Sequence, residues 1–281
     1  MSITLRNNLK ITDFQEDYHK IRSFLLKLDN PNYGFGRWDW MITQLWCDIS
    51  GLPKIAVWEH DGSIVALATN DCRLGESFFC VFEEYNFLKK EMLAYSKDAF
   101  SKDGKYRALI HDKDFYFQSI AAEMGFVATD AREHDAIYNI DADKIHYILP
   151  EGFRLTDFSK DYELIKASLN LPADKTVEGW ERMWLRPNVD LSLKISIIAP
   201  NGKDVANCGM WYDKESQYAL VEPVGTDDEY QRRGLAKAAV LEGIKRCGLL
   251  GAKKAVVGSS QQFYYSIGFR PYQTSTWWRM K

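Results

Sequence analysis

The residues with the clearest chemical purpose form one unbroken stretch, Val224-Gly225-Thr226-Asp227-Asp228-Glu229-Tyr230-Gln231-Arg232-Arg233-Gly234-Leu235-Ala236-Lys237. A short apolar run, Ala219 to Val224, reads as a strand. An acidic turn follows, then Gln-Arg-Arg-Gly-Leu-Ala, then a long segment with helical apolar periodicity. A strand that passes through a basic glycine turn into a helix leaves several backbone N–H groups unpaired at the helix N-terminus. Those donors and the positive end of the helix dipole both favour negative charge, so the chemistry indicated is polyanion binding. A cation at that end opposes the dipole, so Arg232 and Arg233 need a reason, and a bound phosphate supplies one. The pattern is not a Walker A loop, because no Gly-Lys-Ser or Gly-Lys-Thr follows a glycine at the required spacing. It is not a dinucleotide fingerprint either: Gly225 and Gly234 stand too far apart, and no acidic ribose-binding residue follows at the expected distance.

Two further segments give this stretch a context. Lys253-Lys254-Ala255-Val256-Val257 is a second strand candidate, and Phe263-Tyr264-Tyr265-Ser266-Ile267-Gly268-Phe269-Arg270 follows it. Gln231 through Ala236 fill, in order, the pyrophosphate-binding pattern Q/R-x-x-G-x-G/A, and the last segment is similar to F/L-Y-x-x-x-G-F. Together, in this order and about one helix and one strand apart, they resemble the GNAT superfamily of N-acetyltransferases. The usual proline of the turn is replaced by Asp228, and the last glycine of the pattern is the permitted alanine. An ordinary βα unit with a basic first turn is the plainer alternative, but it leaves Tyr-x-x-x-Gly-Phe unexplained.

The resemblance implies acetyl-CoA as co-substrate and no metal. Gln231, Arg232, Arg233, Gly234, Leu235, Ala236 and Lys237 would hold the pyrophosphate, mostly through backbone N–H groups, with the arginines adding charge. Val224 and Thr226 correspond to strand positions whose backbone pairs with the pantetheine arm, and an N–H near Val224 would face the thioester oxygen. One preorganised donor of that kind is typically worth ~3 kcal/mol of transition-state stabilisation. Tyr264 corresponds to the family's general acid for the departing thiolate. Tyr265 is its rival on another helix face, and spacing to Gly268 favours Tyr264. Glu222, before Pro223, stands where many relatives carry the carboxylate that accepts the amine proton, directly or through water; a salt-bridged or solvent-facing strand residue is an equal reading. Asp227, Asp228 and Glu229 read as turn residues, and Trp277-Trp278-Arg279 either walls the pocket or packs the last strand, with packing favoured. Lys245, Arg246, Lys253 and Lys254 could touch a ribose phosphate, but a solvated face is the default. No Cys-His or Ser-His arrangement lies nearby, so direct attack is expected rather than an acyl-enzyme.

Composition narrows the class. At 281 residues the chain holds one large or two ordinary domains, and 46% hydrophobic with 14% aromatic residues supplies packed cores. A net charge of -3 argues against a general nucleic-acid binder. There is no run of the ~18 apolar residues that would span a bilayer, and Met1 to Lys10 lacks a signal-peptide core, so a soluble cytoplasmic protein without a membrane partner is expected. Cys47, Cys72, Cys80, Cys208 and Cys247 are dispersed, which fits isolated thiols better than a disulfide frame or zinc site. No histidine lies beyond His146, so chemistry in the second half cannot use a histidine from that half.

The chain also repeats itself. Ile11-Thr12-Asp13-Phe14, Asp17-Tyr18 and Ile21 return as Leu155-Thr156-Asp157-Phe158, Asp161-Tyr162 and Ile165. Asp61-Gly62 before Val65-Ala66 parallels Asn201-Gly202 before Val205-Ala206, and Met124-Gly125-Phe126 parallels Ile267-Gly268-Phe269. Trp38, Trp40 and Trp46 have partners in Trp180 and Trp184. The near-constant offset points to two tandem α/β (α+β) domains, residues 1–148 and 149–281, joined near Leu149-Pro150-Glu151-Gly152. Each is expected to be a GNAT-like mixed, mostly antiparallel sheet flanked by helices. Opposite the Gln-Arg-Arg-Gly turn, the first half has Asn86 to Met92 without a glycine, and Ala121 stands about where the second half has Tyr264. The first domain thus reads as a degenerate copy, and the second as an acetyl-CoA-dependent N-acetyltransferase acting on a small-molecule amine. An acyl-CoA-binding sensor or scaffold without catalysis is the alternative, and transfer of a longer acyl group stays open.

Overall fold

The computed structural model describes residues 2–12, 14–30, 33–44, 47–168 and 176–281; Asp13, Trp46 and the side chain of Trp180, which the internal repeat includes, lie outside the described set. The chain divides into two compact units. Unit 1 comprises Met1–Asp135 and Tyr272–Lys281, and unit 2 comprises Ala136–Pro271.

The first half carries β1 (Ile3–Arg6), α1 (Glu16–Leu28), α2 (Phe35–Thr43), β2 (Ala56–His60), β3 (Ser63–Asp71), β4 (Arg73–Val81), α3 (Lys89–Phe100), β5 (Arg107–His111), α4 (Phe115–Glu123) and β6 (Phe126–Asn139). The second half runs through the same order of types: β7 (Arg154–Asp157), α5 (Phe158–Ser168), α6 (Val177–Trp184), β8 (Lys194–Ile198), β9 (Asp204–Trp211), β10 (Tyr218–Thr226), α7 (Leu235–Leu249), β11 (Lys254–Val257), α8 (Gln262–Ser266) and β12 (Arg270–Met280). The pairing repeats as well. In unit 1, β1·β2, β2·β3 and β3·β4 are antiparallel, β4·β5 is parallel, and β5 pairs antiparallel with β12. In unit 2, β7·β8, β8·β9 and β9·β10 are antiparallel, β10·β11 is parallel, and β11 pairs antiparallel with Ala136–Asn139 of β6. In each unit the expected architecture, mixed and mostly antiparallel strands flanked by helices, is the one found.

The division does not follow the expected junction at residues 148/149. It falls at Asp135/Ala136, inside β6, and the chain's last strand belongs to unit 1. Pro150 and Gly152 mark a turn before β7, with Gly152 at φ +79°. Punctuation in a sequence reports where the backbone turns, not which sheet a strand completes. Trp277, expected beside the glycine turn's half, accordingly sits in unit 1, where Phe78 and the Arg107 guanidinium meet its ring.

Alternation along the unit 2 strands separates two apolar layers. Ile195, Ile197, Ala206, Cys208 and Val221 join Leu235, Ala238, Ala239 and Ile244 of α7 in one core. Ile198 packs with Phe158, Ile165, Met183 and Trp184 of α5 and α6 in the other. Gly243 lets α7 approach β9: a Cβ there would lie 2.6 Å from Met210 Cγ. No helix among the described residues is long and apolar enough to cross a membrane.

Candidate functional site

Every residue assigned to the cofactor or to the chemistry lies in unit 2, on β10, α7, α8 and the turn between β10 and α7. The turn is held by its own side chains. Asp227 accepts from the Glu229 N–H at 3.1 Å and from Lys203 Nζ at 2.7 Å, and Gln231 Nε2 donates to Asp228 at 2.8 Å. Arg233 donates to the Glu229 carbonyl at 3.0 Å and lies over the Tyr230 ring. The acidic residues are thus turn residues, as read, and Arg233 is turned back onto the loop. Arg232 is exposed.

The backbone then does something unusual. Arg232 has φ 60° and Gly234 has φ 81°, both left-handed. A Cβ on Gly234 would meet nothing within 4 Å, so glycine is needed there for conformation rather than for space. Left-handed residues recurring along a turn are the backbone arrangement of anion-binding concavities. Gly234 is the N-cap of α7 and has no side chain to satisfy the first turn; the first intrahelical bond is Ala238 N–H to Gly234 C=O at 3.0 Å. The N–H groups of Leu235, Ala236 and Lys237 therefore stand ahead of the helical ladder. Leu235's side chain is buried in the core, so only its N–H faces outward chemistry.

β10 leads into this turn with an open edge. Its parallel pairing with β11 covers Tyr218–Leu220 against Lys254–Val256, and β11 ends at Val257 while β10 runs on to Thr226. The direction of the remaining backbone groups follows from register. Asp227 N–H bonds to Val205 C=O at 2.9 Å, so Gly225, two residues earlier and opposite Asn207, also faces β9. Val224 and Thr226 then present their N–H and C=O groups to the side that β11 leaves uncovered. A one-residue bulge between Val221 and Val224 accompanies the cis Glu222-Pro223 peptide. Trp211 Nε1 donates to the Glu222 carbonyl at 2.7 Å, and Gly209 gives the bulge room: a Cβ there would lie 2.5 Å from that oxygen.

Tyr264 and Tyr265 separate clearly. Tyr264 is buried in the α7-side core, in edge contact with Phe263 and Phe269, whereas Tyr265 only packs against that core. Burial, then the neighbouring Cys208 and Glu222, push the Tyr264 hydroxyl far above its ordinary range, so it keeps its proton. Cys208 is itself fully buried with its thiol pushed up, mainly by burial, and so is no thiolate nucleophile.

No protein-family model matches the sequence, and no curated protein matches it. Solved structures do. A tandem GNAT protein from the clavulanic acid biosynthesis pathway superposes with a TM-score of 0.62 at 13% identity, over 99% of this chain and 98% of that one. A GCN5-related N-acetyltransferase from Sphaerobacter thermophilus gives 0.57 at 15% identity, over 99% and 95%. The chain has the tandem GNAT fold. N-myristoyltransferase of Saccharomyces cerevisiae, solved with bound myristoyl-CoA, is also similar, with a TM-score of 0.52 at 13% identity over 100% of this chain and 81% of that one.

Within this tandem GNAT fold, several features escaped the sequence. A cavity of about 170 Å³ opens in unit 2 between the sheet and α5/α6, where Lys194, Asp204 and Asn207 are the strongly polar members of the wall. Burial pushes the Asp204 carboxyl up to about 7, against opposing hydrogen bonds from Ser196 and the Ala206 N–H. Lys194 is 1% exposed; its Nζ donates to Met210 C=O at 2.8 Å and lies 3.4 Å from the Trp211 ring centre. Arg246, read as a solvated cation, instead pairs with Asp157 and Glu242. Cys47 and Cys72, read as isolated thiols, are joined as a disulfide, while Cys80, Cys208 and Cys247 are buried and free. Twenty-four residues of strand and hairpin lie between the paired cysteines, and nothing in their spacing signalled that the fold would bring them together.

Proposed function

We propose that unit 2 catalyses transfer of an acetyl group from acetyl-CoA to the amine of a small acceptor by direct attack. One observation carries this reading: a left-handed N–H turn at the start of α7 continues an uncovered β10 edge, the strand that also carries Glu222. Acetyl-CoA would supply the activated acyl group as a thioester and a diphosphate as the handle. The turn Gln231–Lys237 fits the diphosphate through the N–H groups of Leu235, Ala236 and Lys237, with Arg232 adding exposed charge. Val224 and Thr226 fit an extended amide-bearing arm, because their free-side N–H and C=O groups repeat at strand spacing. The Val224 N–H stabilises the charge that develops on the thioester oxygen.

Glu222 takes the proton that the amine loses as it becomes an amide, directly or through water. Tyr264, held protonated by burial, gives its proton to the departing sulfur. The buried Cys208 thiol does not compete as a nucleophile, which favours a single transfer step over an acyl-enzyme. The test is thiol release from acetyl-CoA across a panel of small amines, with Tyr264→Phe as control. Amine-dependent release that the variant loses while coenzyme A affinity is kept supports the reading. Binding without release for any amine makes unit 2 an acyl-CoA-binding module, and no binding at millimolar coenzyme A removes the reading altogether.

A further inference from the structure

On the α5/α6 face of the unit 2 sheet, strand residues around the cavity are polar where the matching strand residues of unit 1 are apolar. The register shows how. β8 and β9 pair with constant register from Lys194↔Gly209 to Ile197↔Ala206, then Ile198 meets Asp204, so β9 bulges at Val205. The bulge turns Asp204 onto the same face as Asn207 and Gly209, which point toward α5 and α6. In unit 1, β2 and β3 carry the same irregularity: Trp58 pairs with Ala66 and Glu59 with Ile64, so β3 bulges at Val65. Matching Val65-Ala66 to Val205-Ala206 places Ile64 at the Asp204 position, Leu67 at Asn207 and Ile55 at Lys194. Three buried apolar residues in one unit are thus an aspartate, an asparagine and a lysine in the other, all lining the cavity with Phe158, Trp184 and Pro223.

Asp204 is the member without a structural explanation. Ser196 Oγ donates to its Oδ2 at 3.1 Å and the Ala206 N–H is turned toward the carboxyl, but the Oδ1 is buried without a hydrogen bond of normal geometry among the described residues. A buried carboxylate oxygen left unpaired is costly, and isoleucine at the equivalent place shows that the fold does not need it. The cavity runs along β9 from Gly209 and Pro223, beside the bulge that carries Glu222, toward Asp204. Its volume is below the roughly 300–1,000 Å³ of pockets that enclose a drug-sized ligand, so it suits a compact acceptor.

We propose that this cavity is the acceptor pocket and that Asp204 is a specificity-determining residue, selecting acceptors that carry a second ammonium group beyond the amine that reacts. This rests on the acyltransfer reading of unit 2. The second group donates to Asp204 Oδ1 while the reacting amine sits by Glu222 and Pro223. The charged and titratable groups around the cavity are Lys194 from β8 and Cys208 from β9; α5 and α6 contribute the Phe158 and Trp184 rings, and β10 contributes Pro223. Lys194 is committed to Met210 C=O and the Trp211 ring.

The test uses the full chain with coenzyme A bound, titrated calorimetrically with butylamine and with diaminobutane, which share a chain length and differ by one amine. Wild type should prefer the diamine by roughly tenfold or more at one unit above pH 7, a charge-assisted hydrogen bond's worth. The preference should shrink at one unit below, since burial sets the Asp204 carboxyl at about 7 and protonation removes its charge. Asp204→Asn should abolish the preference at both pH values while leaving coenzyme A affinity unchanged. No preference in wild type, or one that survives in Asp204→Asn, overturns the proposal. Should that variant fail to fold, the pH dependence of wild type decides, and a preference equal at both pH values overturns it. Failure of coenzyme A to bind at all would instead sink the acyltransfer reading.

Discussion

The starts of α3 and α7 follow the fourth strand of the same pairing order in the two units, yet their backbones differ. In unit 2 the chain leaves β10, passes left-handed Arg232 and Gly234, and opens α7 with its first N–H groups ahead of the ladder. In unit 1 a 3-10 turn over Glu83–Leu88 runs straight into α3, with Leu88 right-handed at the cap. Unit 1 also fills the region from within. Lys89, the first residue of α3, is buried, pairs with Asp114 at 2.6 Å and lies over the Phe117 ring, which in turn meets Phe79 of β4 edge-on. Ala121 stands where unit 2 has Tyr264. Sheet topology therefore specifies a scaffold that is indifferent to the cofactor. On the proposed reading, the capacity to bind one resides in a few backbone conformations at a single turn.

The comparison breaks most sharply on stoichiometry. Calorimetry should find one coenzyme A per chain, and two sites would mean that the unit 1 turn also binds. Next in size, Tyr264→Phe should cut acetyl transfer by roughly 10²-fold or more, the usual worth of a positioned general acid, with coenzyme A affinity kept. The cavity face offers a stability contrast. The Asp204 carboxyl is raised in the folded state from about 3.8 to about 7, so the fold holds its proton more tightly than the unfolded chain does. That contribution is fully present below about 3.8 and lost as pH rises through about 7. Thermal melts of wild type should fall across that window more than those of Asp204→Asn, by an amount equivalent to a few kcal/mol. A parallel fall in both would remove the unpaired carboxyl from the comparison. Gly209→Ala should destabilise by about 1–3 kcal/mol in denaturant titration, because its Cβ would strike the Glu222 carbonyl. The smallest effect is expected of Arg232→Ala: exposed charge is worth ~0.5 kcal/mol, about a twofold weakening of coenzyme A binding that disappears at high salt.

Much of unit 2 was legible in the chain. The strand read over Ala219 to Val224 is β10, the segment after Gly234 is α7, Lys253 to Val257 is β11 within a residue, and Tyr264 lies on a short helix before Gly268. Local signals suffice there, because an apolar period and a glycine at the helix start act over a few residues. The exchange of terminal strands was hidden, since β6 and β12 look alike in pattern and pairing is decided by what lies alongside. Asp204 was hidden too: a polar residue after Asn201-Gly202 reads as a hairpin flank, and only the bulge at Val205 turns it inward. The pairing of Cys47 with Cys72 is equally a property of the folded chain.

By itself the sequence determined the repeated order of strands and helices and the glycine turn, both of which depend on neighbours along the chain, while the spacing to Gly268 favoured Tyr264 over Tyr265. The tertiary structure alone decided which strands close each unit, how deeply each tyrosine is buried, and that one carboxylate oxygen of Asp204 faces a cavity. Burial and register bring together residues far apart in the chain, and no local pattern encodes the company a side chain keeps.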